Sequence, residues 1–95
     1  MTEAEHEKRF KQAAEERGCL TRKFVSPGHR GVPDQLVFCP GGRLLLVEMK
    51  TRGGRLGSWQ MRELERYTRL GFTTAVAYSA DDAVFALDNF LESHI

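Results

Sequence analysis

Asp34, Glu48 and Lys50 are the residues whose types and spacing could do chemistry. They stand at the far ends of two short apolar runs, Asp34 to Cys39 and Leu44 to Met49, joined by Pro40-Gly41-Gly42. Runs of this length, rich in Leu, Val and Phe and bounded by Pro and Gly, read as strands buried on both faces. A glycine in the connection can take the positive φ that a three-residue hairpin loop needs. With that loop, Cys39 faces Arg43, and counting back along the ladder sets Asp34 directly opposite Glu48 on one face of the sheet. Glu48 and Lys50 share that face because strand side chains alternate, while Val47 and Met49 point the other way. A loop one residue longer or shorter would separate the two acids.

Apposed carboxylates at the end of an apolar hairpin repel each other unless a cation or a proton lies between them. Hard oxygen donors suit Mg²⁺ or Mn²⁺, which bind one or two carboxylates together with a phosphate oxygen and several waters. Such a site polarises a phosphodiester and lowers the pKa of bound water. Lys50, one pleat beyond Glu48, is placed to orient that water or to neutralise charge developing on the phosphate. The plain alternative is an Asp at a strand start and a Glu-Lys pair at a strand end. Their combination in one hairpin, with no other charge inside its apolar runs, favours a site.

Pro33-Asp34 followed by Glu48-Met49-Lys50 resembles the PD-(D/E)xK nuclease signature. The longer context, Phe24-Val25-Ser26-Pro27-Gly28-His29-Arg30-Gly31-Val32-Pro33-Asp34 with Pro40-Gly41-Gly42-Arg43 and a downstream Gln60, resembles the virus-type replication-repair nuclease (VRR-NUC) domain over nearly the whole chain. The resemblance implies a restriction-endonuclease-like α/β core and a metal-dependent DNA endonuclease. It implies metal ligation by Asp34, Glu48, the Met49 carbonyl and an acid of the first helix, best placed at Glu3 with Glu7 one turn on as the alternative. It also assigns Gln60 to the active site, although Leu56-Gly57-Ser58-Trp59-Gln60 departs from the family's common Leu-Ser-Pro-x-x-Gln or Leu-Ser-x-x-Gln form. Stand-alone members of the family look like dimeric junction resolvases.

The 95 residues are expected to form one domain, 1–95, large enough for a core but with little stability to spare. Fourteen Lys plus Arg against thirteen Asp plus Glu leave a net charge of +1, so any nucleic-acid surface must come from local clustering. Lys23, His29 and Arg30 before the hairpin, and Arg52 and Arg55 after it, form such a cluster and are the candidate DNA contacts. The other reading of these charges is an ordinary solvated surface. Cys19 and Cys39 have neither CxxC spacing nor partner histidines, which disfavours zinc and suits buried thiols in a reducing cytoplasm. No apolar run is long enough to span a membrane.

Around the hairpin, Thr2-Glu3-Ala4-Glu5 has the form of a capping box, so a helix starts at Glu3 and runs to Gly18. Phe10 and Ala14 lie on its inner stripe together with Glu3 and Glu7, and His6 is a helix-face residue, not a ligand. Leu20 to Val25 reads as a strand and Ser26 to Gly31 as a glycine-rich loop. Ser58 is the expected N-cap of a second helix with Met61, Leu64, Tyr67 (or Thr68) and Leu70 inward and Gly71 at its end. Trp59 on that helix either stacks on a base, packs at an interface or, the expected role, fills the core as a partly buried aromatic. Phe72 to Tyr78 reads as a fourth strand. Asp81 or Asp82 is expected to cap a last helix with Ala83, Val84, Leu87, Phe90 and Leu91 inward. The order α-β-β-β-α-β-α gives a mixed sheet flanked by helices, the fourth strand parallel to its neighbour.

The expected activity is hydrolysis of phosphodiester bonds in branched or structured DNA, in replication, repair or recombination, with Mg²⁺ or Mn²⁺ as cofactor. The hairpin's stability is expected from Leu36, Phe38, Leu44 and Leu46. The expected working form is a homodimer cutting Holliday-like junctions, joined through the Trp59-Met61-Tyr67 helix or the Val84-Phe90-Leu91 helix. The competing readings are a non-catalytic DNA-binding module of the same fold and, least favoured, a small α/β interaction domain.

Overall fold

The computed structural model describes residues 1–50 and 53–93. The elements run α1 (Glu3–Glu16), β1 (Leu20–Lys23), β2 (Gln35–Cys39), β3 (Arg43–Met49), α2 (Ser58–Arg69), β4 (Thr73–Ala77) and α3 (Ala80–Glu92). The four strands form one sheet in sequence order, β1-β2-β3-β4, antiparallel except for β4, which runs parallel to β3 after the α2 crossover. The chain therefore has the mixed α-β-β-β-α-β-α architecture expected from its pattern.

Hairpin register follows the loop. Gly41 and Gly42 both take positive φ, Cys39 pairs with Arg43 and Gln35 with Val47, so the next step back sets Asp34 against Glu48. On one face Val37, Leu45, Val47 and Met49 pack with Phe10 and Ala14 of α1 and Ala83 and Leu87 of α3. On the other face, which carries Leu46 and Glu48, lies α2, tied down by the Thr68–Thr74 hydroxyl pair and by Gln60 bonded to Glu48. From Leu45 onward β3 is buried on both faces, as expected. In contrast, β2 is buried on one face only, and Phe38 is 46 % exposed. The expectation that Leu36, Phe38 and Leu44 anchor the hairpin is thus corrected: Val37, Leu45 and Val47 do, since the larger core lies on their side, and of the four residues expected Leu46 alone is buried.

The helix ends show how local chemistry and packing divide the work. Thr2 and Glu5 form the capping box of α1 as expected. The N-cap of α2 is Gly57, not Ser58, because the Gln60 side chain accepts the Gly57 N–H at 2.9 Å and so sits at the third helical position. Ser79, not Asp81 or Asp82, caps α3 by accepting the Asp82 N–H, while Asp82 accepts the Tyr78 N–H. His6 Nδ1 accepts the Ala80 N–H at 3.0 Å, a long-range addition to that cap. At the other end of α3, Arg43 donates to the Phe90 and Leu91 carbonyls and stacks on the Phe90 ring at 4.3 Å, a cation placed where the helix dipole is negative. Among the described residues, no helix is long and apolar enough to cross a membrane.

Candidate active site

The two carboxylates meet where β2 begins and β3 ends, and the backbone holds them there. Glu48 Oε1 accepts the Asp34 N–H at 3.2 Å, and Asp34 Oδ2 accepts the Met49 N–H at 2.9 Å. Each acid is thus oriented by the other strand's main chain. Lys50 is fixed through its own backbone, whose N–H donates to the Ala77 carbonyl at 2.8 Å, and its Nζ lies 3.4 Å from Glu48 Oε2. Gln60 Nε2 donates to the same Oε2 at 3.0 Å while its Oε1 accepts from Gly57, so both ends of the amide are engaged and its orientation is set. The structure therefore brings Asp34, Glu48, Lys50 and Gln60 together at one polar end of the sheet.

Glu48 is only 3 % exposed. Burial first, and then the neighbouring Asp34 charge, push its carboxyl above the ordinary range, with Lys50 opposing. A carboxylate raised in this way gains most from a cation. Two apposed acids with oxygen donors and a nearby backbone carbonyl, that of Met49, fit a hard divalent ion such as Mg²⁺ or Mn²⁺. Among the described residues no three His, Cys, Asp or Glu side chains are gathered as a metal cluster. Glu7 accepts from Lys23 Nζ at 2.9 Å, and this bond raises the lysine's pKa.

The loop before Asp34 is closed at its base by the Phe24 N–H bonded to the Asp34 carbonyl at 2.7 Å. Within it Ser26-Pro27-Gly28-His29 makes a tight turn, with the His29 N–H on the Ser26 carbonyl and Gly28 at positive φ. His29 is not a free loop residue: its Nε2 lies 2.9 Å from Glu63 Oε1. Glu63 is buried on α2 and also accepts from the Tyr67 hydroxyl and from Arg66, and the His29 and Tyr67 bonds hold its carboxyl below the usual range. Arg30 stacks over Trp59 at 5.2 Å, and Arg55 is exposed. Arg52 lies outside the described residues.

The inward stripe of α2 is therefore Gln60, Glu63, Leu64 and Tyr67. The expected stripe is corrected at Met61 and Leu70, which are exposed, and Trp59 is exposed as well instead of filling the core. Sequence reasoning missed Glu63. Its signal was the three-residue step from Gln60, which places it on the same helix face.

The VRR-NUC domain profile matches residues 2–81. A protein of Acyrthosiphon pisum secondary endosymbiont phage 1, named "Putative nuclease p44", is 45 % identical over 64 residues, covering 67 % of this chain and 69 % of its own. A solved structure of a VRR-NUC domain superposes with a TM-score of 0.80 at 31 % identity, covering 98 % of this chain and 97 % of the other.

Proposed function

The chain belongs to the VRR-NUC domain family of the PD-(D/E)xK superfamily, and on that premise we propose that it is a metal-dependent DNA endonuclease whose active site is Asp34, Glu48, Lys50 and Gln60. The observation that carries this reading is the buried Glu48, raised in pKa and touched at once by the Asp34 backbone, Gln60 and Lys50. An Asp–Glu pair at this end of the sheet serves no purpose in a module that only binds DNA, because carboxylates repel phosphate.

In this reading Asp34, Glu48 and the Met49 carbonyl would hold Mg²⁺ or Mn²⁺, with Glu3 as the fourth donor that the family resemblance implies. The ion, when bound, supplies Lewis acidity toward the phosphate and a more acidic water. The chain's own residues do the rest. Lys50 neutralises charge on the phosphate oxygens. Gln60, held at both ends of its amide, orients the attacking water. Arg30, with Arg52, Arg55, His29 and Lys23, draws the backbone of the substrate toward that end of the sheet.

The finer assignment is a homodimer that acts on branched DNA such as four-way junctions, inside a bacterial or phage-infected cell. A small domain with one site cannot span both strands of a branch point, whereas a two-fold pair can. Support for a self-association face comes from the outer side of α2, where Leu56, Met61 and Thr68, with Arg62, Glu65 and Arg69, line an open groove and Leu70 is exposed. Val84, Phe90 and Leu91 pack partly against the core, which leaves less of α3 for that role. The deciding experiment incubates labelled four-way junction and matched linear duplex with the protein, with and without Mn²⁺. Metal-dependent cutting of the junction in preference to the duplex is expected; no cutting of either by folded, metal-loaded protein would refute the enzyme.

A further inference from the structure

Trp59 is the single tryptophan of the chain, and the fold leaves it 53 % exposed. Two cations from different elements attend it. The Arg30 guanidinium, from the loop before Asp34, lies 5.2 Å from the ring centroid, and that of Arg62, one helical turn on, lies 5.7 Å away. The Trp59 backbone is held by the same loop: Gly31 approaches so closely that a Cβ there would lie 2.6 Å from the Trp59 carbonyl oxygen. The next residue, Gln60, is the one bonded to Glu48. An exposed indole flanked by guanidiniums thus stands next in the chain to the glutamine that bonds the carboxylate pair.

We propose that Trp59, with Arg30 and Arg62, is a stacking platform for an unpaired nucleobase next to the phosphate that is cut beside Asp34 and Glu48. The proposal rests on the nuclease reading and narrows its substrate. An indole face stacks on any base without reading its identity, and arginines add attraction to the π-face and charge for the flanking phosphates. A base inside a duplex has both faces covered by its neighbours, so only one that is single-stranded or drawn out of the stack can lie on the ring. The platform therefore selects DNA with an unpaired nucleotide at the cut, as found at branch points, flaps and single-stranded ends.

Because no other tryptophan contributes, fluorescence excited at the red edge of the indole band, where Tyr67 and Tyr78 do not absorb, reports on this ring alone. The test titrates protein in EDTA, where cleavage cannot occur, with single-stranded hexathymidylate, an all-abasic hexamer carrying the same phosphates, and a blunt duplex. Hexathymidylate is expected to quench Trp59, and the other two to leave its emission nearly unchanged. By anisotropy of labelled hexathymidylate, Trp59→Leu should bind about tenfold or more weakly and Trp59→Phe should recover most of the loss. Equal quenching by the abasic hexamer or the duplex, or a Trp59→Leu affinity within twofold of the unaltered protein, would overturn the proposal. So would a Trp59→Leu variant that loses self-association yet binds the oligonucleotide unchanged, which would give the ring to a protein interface. The ring lies outside the core, so the variant should fold, and circular dichroism checks that it does. Quenching without any cleavage under Mn²⁺ would sink the nuclease reading and leave the platform; cleavage with Trp59 neutral would do the reverse.

Discussion

Asp34 and Glu48 oppose the stability of the metal-free fold, and this can be measured. The folded Glu48 carboxyl is raised above the ordinary glutamate value by burial and by Asp34. Its contribution is therefore fully present below that value and is lost as pH rises through the higher, folded one. Asp34→Asn removes the repelling charge while its amide oxygen can still accept the Met49 N–H. In EDTA at pH 7 the variant should melt about 4–8 °C higher, the equivalent of about 1 kcal/mol for a domain of this size. The gap should shrink as pH falls below the raised Glu48 value, and Mn²⁺ should stabilise the unaltered protein more than the variant. A gap of the opposite sign would refute the arrangement. For cleavage, Asp34→Ala, Glu48→Ala and Lys50→Ala should each cost at least about a hundredfold in rate. Gln60→Ala, which acts partly by orienting Glu48, should cost about 10–100-fold. Full activity in a folded carboxylate or lysine variant would defeat the assignment.

The loop between β1 and β2 and the start of α2 behave as one element, since each fixes the other. Gly31 sits at φ +96° against the Trp59 carbonyl, whereas Gly28, also at positive φ, has nothing within 4 Å of the place a Cβ would occupy. Gly28→Ala should therefore cost only the conformational penalty, about 1 kcal/mol. Gly31→Ala adds a backbone clash and should cost about 2–3 kcal/mol or displace the loop. Urea midpoints of the two variants test this, and equal midpoints would mean the loop is not seated on α2. Glu63 is the second fastener, through His29 and Tyr67. Its lowered carboxyl contributes stability above the ordinary carboxylate value, lost as pH falls through the folded one. Glu63→Gln should accordingly speed amide hydrogen exchange at residues 28–32 at pH 7 while leaving β3 protected.

At the scale of the whole molecule, the near-neutral charge means that DNA must be held by a local patch. Replacing Arg30, Arg52 and Arg55 together with Ala should weaken duplex binding and flatten the dependence of log affinity on log salt, by about one unit for each lost phosphate contact. An unchanged slope would show that the cluster is solvated surface. For the dimer, light scattering at micromolar concentration should give twice the chain mass, and Met61→Glu with Leu70→Glu on the outer face of α2 should halve it. A monomer cutting junction and linear duplex equally would leave a general nuclease.

The sequence by itself determined the hairpin and what it presents. A three-residue loop and a two-residue period are local rules, so Asp34 opposite Glu48, with Lys50 on the same face, followed from counting, and the backbone bonds between the two strands agree. The Thr2-Glu5 capping box and the parallel fourth strand were equally legible, the one because it spans four residues, the other because a helix-length crossover returns the chain in the same direction. Tertiary structure decided the rotation of α2. A helix stripe moves by about 100° for each residue of offset, and the local apolar pattern pointed to a stripe through Met61 and Leu70, whereas the folded chain turns inward one through Gln60, Glu63 and Tyr67. That choice was made by partners distant in the chain, Glu48 for Gln60 and His29 for Glu63. The same rotation turned Trp59 outward beside Arg30, because a buried polar group must find its hydrogen bond whereas an indole can remain half in water.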